Sequence, residues 1–207
     1  MAKAKTEQEE FWSGEFGDQY CARNCGEKFI ANQINYFSRI IEKTGSVKSV
    51  IEFGANVGEN LKAIRALLPE ADLAALEINR KAVNELRRWA KKSVKIYHQS
   101  IFDFKIDKKR DFVFTKGVLI HLNPEKLPLA YEILYKSSKR YICIGEYYNP
   151  SLVQVNYRGN TDRLFKRDFA GELMKKYKDL KLVDYGFCYH LDPNFPQDDI
   201  TWFLLEK

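Results

Sequence analysis

The chain has 207 residues, of which 45% are hydrophobic, 30% charged and 14% aromatic. This composition excludes a disordered chain, and the length fits one domain that can bury a core without disulfide or metal staples. The net charge of +6 is scattered in short groups such as Arg87-Arg88 and Lys108-Lys109-Arg110, the pattern of a solvated face, so nucleic acid is not the expected partner.

No uninterrupted apolar run approaches the roughly 18 to 20 residues that span a bilayer, and MAKAKTEQEE lacks the apolar core of a signal peptide. The sequence therefore predicts a cytoplasmic protein without a membrane partner. Cys21, Cys25, Cys143 and Cys188 form no CxxC pair and have no Cys/His companions at zinc-site spacing, so reduced structural thiols and no metal are expected.

In chain order, the first 26 residues read as an accessory segment ahead of a domain over 27–207. Phe11, Trp12, Phe16 and Tyr20 make this segment unusually aromatic: they suit a lid that excludes water, or a helix packed on the core. Apolar residues from Phe29 to Ile41 predict an amphipathic helix over about 28–43, stopped by Gly45. SVIEFG (49–54) predicts a strand, and Val57, Leu61, Ile64 and Leu68 a helix closed by Pro69.

LAALEI (73–78), VKIYHQ (94–99), DFVFTKG (111–117) and RYICIGEY (140–147) continue as strands, with helices expected over 80–91 and 125–138. Apolar strands alternating with helices predict a mostly parallel sheet covered on both faces, an α/β fold. An irregular stretch (148–164) and a helix near 167–178 follow. The last two β-rich segments, 180–190 and 201–207, suit a terminal antiparallel hairpin. No repeat or composition shift marks a further domain.

The chemistry is concentrated in IEFGANVGEN (51–60), where the first strand hands over to a helix. Gly54 permits a tight turn and Gly58 a close helix, an arrangement that admits a nucleotide-like ligand at the helix N-terminus. Glu52 stands where a carboxylate could orient an amino group. Glu77 ends the second strand, close to the roughly 20-residue spacing of an acid that accepts hydrogen bonds from ribose hydroxyls. Asn56 occupies the place of the middle glycine that a pyrophosphate requires, and no P-loop pattern exists, so the pattern points to a nucleoside without phosphates.

These residues resemble the first motif of class I S-adenosylmethionine-dependent methyltransferases, and the resemblance covers about residues 28–207. It implies a Rossmann-like sheet of order 3-2-1-4-5-7-6 with strand seven antiparallel, S-adenosylmethionine as cofactor and S-adenosylhomocysteine as product. Glu52, Gly54, Ala55, Asn56, Gly58 and Asn60 would form the first part of the cofactor site, with Glu77 and Ile78 at the ribose. QSIFDF (99–104) is similar to the adenine-contacting turn, which implicates Ser100, Ile101 and Phe102. TKGVLIHLNP (115–124) is similar to the segment lining the methyl-transfer pocket and adds Lys116 and Gly117.

FWSGEFGDQYCARN (11–24), GEYYNP (145–150), VNYRGN (155–160) and LFKRDFAGELM (164–174) together are similar to methyltransferases associated with pseudaminic acid biosynthesis. This narrower resemblance implies a small, sugar-linked acceptor methylated on nitrogen or oxygen. The residues expected on the acceptor side are Tyr20, His121, Glu146 and Tyr147 for catalysis, with Trp12, Tyr148 and Arg158 for binding. His121 suits a general base or a loop-fixing hydrogen bond, and Glu146 either holds the acceptor or organises a loop through Arg158. Arg158, Arg163, Lys166 and Arg167 suit a carboxylate or phosphate on the acceptor, or simple solvation.

An RNA or protein methyltransferase would suit the positive charge, but no RNA-binding module and no NPPY or DPPY tetrad is present. A noncatalytic S-adenosylmethionine-binding protein would keep the same pocket. A nicotinamide oxidoreductase is disfavoured by the missing middle glycine.

Overall fold

A computed structural model describes residues 6–21 and 26–207, and Cys25 lies outside them. Seven strands form the main sheet: β1 (Ser49–Phe53), β2 (Asp72–Glu77), β3 (Val94–His98), β4 (Arg110–Lys116), β5 (Ser138–Glu146), β8 (Lys181–Phe187) and β9 (Thr201–Glu206). Their spatial order is β3-β2-β1-β4-β5-β9-β8. The first five are parallel, while β9 runs antiparallel to both β5 and β8. With β8 and β9 counted as strands six and seven, this is the order expected from the sequence.

The strand runs are apolar throughout because alternate residues enter two separate cores. Val50, Leu73, Phe112, Phe114, Cys143 and Leu204 face one layer, where Tyr36, Phe37 and Ile40 of α3 (Glu27–Ile41), Leu61 and Ile64 of α4 (Glu59–Leu67) and Leu86 of α5 (Arg80–Ala90) cover them. Ile51, Phe53, Leu76, Val113, Ile142 and Leu205 face the other, beneath Ala130 and Leu134 of α6 (Leu127–Ser137) and Leu173 of α7 (Phe169–Lys176).

One expectation is corrected. The stretch 148–164, read as irregular, contains an antiparallel ribbon of β6 (Val153–Tyr157) and β7 (Asn160–Lys166). Its turn places Arg158 (φ 52°) and Gly159 (φ 83°) in the left-handed region, the geometry of a tight hairpin. Its first strand is exposed or only half-buried along its whole length, so it carries little of the apolar signal that marks the main sheet. The front segment folds as α1 (Glu7–Ser13) and α2 (Glu15–Tyr20), with Thr6 and Glu9 forming a capping box at its start.

Cys21, Cys143 and Cys188 are buried free thiols. Among the described residues no helix is long and apolar enough to cross a membrane.

Candidate functional site

The turn after β1 is folded back over the end of β2. The backbone N–H groups of Gly54 and Ala55 both donate to the Leu76 carbonyl, at 2.8 and 3.0 Å. Gly54 has φ 79°, and a Cβ there would stand 2.4 Å from Cγ2 of Val118, so the position requires glycine on both conformational and steric grounds. Asn56 takes a left-handed φ of 46°, which asparagine tolerates, and its N–H donates 2.8 Å to one carboxylate oxygen of Glu77. The other oxygen accepts from the N–H of Asn79 at 2.7 Å. Burial raises the pKa of Glu77, and these backbone donors oppose the shift.

Glu52 lies one layer lower. It is fully buried, and its Oε1 accepts from Nδ2 of Asn60 at 2.6 Å. Its Oε2 and the Oδ1 of Asn60 are buried without a hydrogen-bond partner. Burial pushes the Glu52 carboxyl up to about 8. Glu52 therefore positions Asn60, which lines the cavity, and does not itself reach the cavity wall.

A cavity of about 500 Å³ crosses the C-terminal ends of the strands, the position where open α/β sheets bind ligands. Ser100 and Ile101 line it beyond β3, Glu77 and Ile78 at β2, and Ala55 and Asn56 at β1. Lys116, Gly117 and His121 continue the wall after β4, and Tyr147 after β5. Trp12 and Tyr20 close it from the front helices, with Tyr157 and Arg158 from the β6–β7 ribbon. The wall thus joins acids and N–H groups at one end to aromatic rings and cations at the other.

Besides Glu52 and Glu146, three expected residues stand outside this wall. Gly58 has left-handed angles at the start of α4 and faces Leu86. Phe102 packs against the core beneath α6. Tyr148 is 42% exposed and tilts against Phe203, because successive residues leaving β5 point to opposite sides.

Glu146 also differs from its expected setting. It is 2% exposed and accepts hydrogen bonds from the Thr115 hydroxyl and the N–H groups of Val118, Leu119 and Ile120, at 3.0 to 3.4 Å. The loop it organises is the one after β4, through backbone donors and not through Arg158. Burial raises its carboxyl to about 7.

His121 ends a 3-10 turn, Leu119–His121, against which β7 packs. Its Nδ1 lies 2.6 Å from the Arg163 carbonyl oxygen, and a carbonyl only accepts, so Nδ1 carries the proton and Nε2 the lone pair. Burial lowers the imidazole to about 4. The ring centre lies 4.5 Å from that of Trp12 and 4.9 Å from that of Tyr157. Burial raises the Tyr147 hydroxyl well above the usual tyrosine range.

The sequence reading missed Asn79, Tyr157 and Gln197. Asn79 caps α5 by accepting from the Ala82 N–H at 2.8 Å, and its Nδ2 donates to the Trp12 carbonyl and to Asp18. An asparagine directly before a periodic helix is a capping signal that could have drawn attention to it. Tyr157 follows the alternation Val153, Val155, Tyr157. Gln197 sits in a loop with no local signal.

No family model matches the chain, and no curated protein matches its sequence. Solved structures with the same fold include magnesium protoporphyrin IX methyltransferase from Synechocystis PCC 6803 with bound S-adenosylmethionine, at TM-score 0.67 and 13% identity over 100% of both chains. The N-methyltransferase NodS from Bradyrhizobium japonicum WM9 aligns with 86% of this chain and 95% of its own, at TM-score 0.65 and 12% identity. The plantazolicin methyltransferase BpumL in complex with a pentazolic desmethylPZN analog and S-adenosylhomocysteine aligns over 97% of this chain and 94% of its own, at TM-score 0.66 and 14% identity. The architecture of this chain is thus the Rossmann-like fold of class I methyltransferases.

Proposed function

We propose that this chain is an S-adenosylmethionine-dependent methyltransferase acting on nitrogen or oxygen of a small, sugar-linked acceptor. The observation that carries the proposal is Glu77: a buried carboxylate at the end of β2, fixed by the Asn56 and Asn79 N–H groups, on the wall of a nucleoside-sized cavity. The unpartnered Oδ1 of Asn60, which lines the cavity, supports a ligand with hydrogen-bonding groups beside the turn. The sugar-linked acceptor rests on the sequence resemblance of the front segment and the 145–174 region, and the flat faces of Trp12 and Tyr157 at the cavity suit a ring-shaped body.

When bound, S-adenosylmethionine supplies an electrophilic methyl group on a cationic sulfur. In this reading Glu77 accepts from the ribose hydroxyls, Ser100 and Ile101 flank the base, and Asn60 holds the polar tail. Trp12, Tyr20 and Tyr157 exclude water and align the acceptor for in-line attack, which supplies most of the acceleration. His121, with Nδ1–H tied to Arg163, offers Nε2 to take the proton that a hydroxyl or ammonium acceptor releases.

Calorimetric titration with S-adenosylmethionine, S-adenosylhomocysteine and NAD tests the reading. Binding of the two sulfur nucleosides without NAD is expected. Binding of NAD alone, or of none, would overturn it.

A further inference from the structure

Lys116 closes β4 on the same face as Phe112 and Phe114, and its side chain reaches the cavity beside α3 and the 196–200 segment. Its Nζ donates to Oε1 of Gln197 at 3.0 Å and lies 5.1 Å from the centre of the Tyr36 ring. Neither partner is charged, and the ion pairs found among the described residues do not include this ammonium.

Of the nearby acids, Glu146 is taken up by the backbone after β4, and Glu52 bonds Asn60 through one oxygen. Asp198, beside Gln197 on the cavity wall, acts on Lys116 through its charge but forms no ion pair with it. A desolvated ammonium held by one neutral amide and a ring face is under-compensated, and a second, anionic partner would relieve it. The cavity is the open side from which that partner can come.

The position along the sheet indicates which ligand brings the anion. Glu77 and Ser100 mark the nucleoside end at β2 and β3. Lys116 is on β4, two strands from β2 and so about 10 Å along the sheet, on the cavity wall that His121 and Tyr147 continue. We propose that Lys116, oriented by Gln197, receives a carboxylate of the acceptor, so that the substrate class is one that bears a carboxylate beside the methylated group. This inference rests on the methyltransferase reading above.

The test uses the full chain saturated with S-adenosylhomocysteine, with benzoate and benzamide as probes of nearly equal size and different charge. The wild-type protein is expected to bind benzoate roughly ten-fold more tightly than benzamide, as a charge-assisted hydrogen bond provides. Lys116→Met should abolish that preference and leave affinity for S-adenosylhomocysteine within about two-fold. Equal binding of both probes to the wild type would overturn the proposal.

A second arm separates the acceptor from the cofactor as the source of the carboxylate. If Lys116→Met weakens S-adenosylhomocysteine but not 5′-methylthioadenosine, which lacks the carboxylate, then Lys116 serves the methionine tail and the proposal fails. A third measurement needs no variant. Burial lowers the Lys116 ammonium to about 8, among Glu52 of β1, Glu146 of β5, Asp198 and Cys188 of the segment between β8 and β9, and Tyr36 of α3. Benzoate preference in the wild type should therefore vanish as pH rises through that value, and a constant preference would overturn the assignment. If the wild type binds no sulfur nucleoside, the methyltransferase reading falls, and the two probes on the protein alone still decide the anion site.

Discussion

Asn79 donates from its side-chain amide to the carboxylate of Asp18 at 2.8 Å, and this contact ties the front helices to the end of β2, where the Asn79 N–H holds Glu77. The same amide nitrogen donates to the Trp12 carbonyl, while the amide oxygen caps α5 and meets the Cys21 thiol. Gly17 makes the approach possible, since a Cβ there would stand 2.0 Å from the Trp12 carbonyl oxygen and 2.8 Å from Nδ2 of Asn79.

Asn79→Ala should lower stability by about 1 to 2 kcal/mol, because it removes a helix cap along with the tether. Asp18→Ala keeps the cap and should cost less, about 0.5 to 1.5 kcal/mol. Both variants should speed amide hydrogen exchange across α1 and α2. If exchange in those helices is unchanged in Asp18→Ala, the tether does not hold the front segment.

Glu77→Gln should weaken S-adenosylhomocysteine by about 1.5 to 3 kcal/mol, the range for hydrogen bonds to a charged group. The neutral amide can still accept from Asn56 or Asn79, so the circular dichroism spectrum should match that of the wild type. Calorimetric affinity equal to that of the wild type would remove the ribose from this position.

The sheet was legible because parallel strands buried on both faces leave near-continuous apolar runs, and the helices between them keep their 3.6-residue period. Glu77 was legible for a related reason: a carboxylate ending such a run is conspicuous. The β6–β7 ribbon was not, because Gln154 and Asn156 alternate with only moderately buried apolar neighbours. The residues Glu146, Tyr147 and Tyr148 show where a sequence reading stops. They are adjacent in the chain, yet one is buried under a loop, one lines the cavity and one packs outside it, and only the pleat and local bends decide which.

His121→Asn should reduce kcat by roughly 10² if Nε2 takes the acceptor proton, with affinity for S-adenosylhomocysteine unchanged. The wild-type imidazole, held down to about 4 by burial, stays neutral through the physiological range. The rate should therefore show no histidine limb near the ordinary value of about 6.5 and should fall only as pH drops toward the lower value. A rate that halves near pH 6.5 and loses that dependence in His121→Asn would mean the ring is solvated in the working enzyme.

Glu52 gives a prediction for stability against pH. Its carboxyl is pushed up to about 8 in the fold, against about 4.3 in an unfolded chain, so between these values the folded state binds more protons than the unfolded state. Stability from this group is present below the unfolded value and is lost as pH rises through the folded one. Glu52→Gln removes the titration while preserving size and a possible hydrogen bond to Asn60. Scanning calorimetry from about pH 5 to pH 9 should therefore show the melting temperature of the variant gaining on that of the wild type, since the remaining groups are common to both proteins. A temperature difference that stays constant across this range would mean Glu52 keeps its charge in the fold. Lys116, the cation whose charge acts on Glu52, would then be the source of compensation.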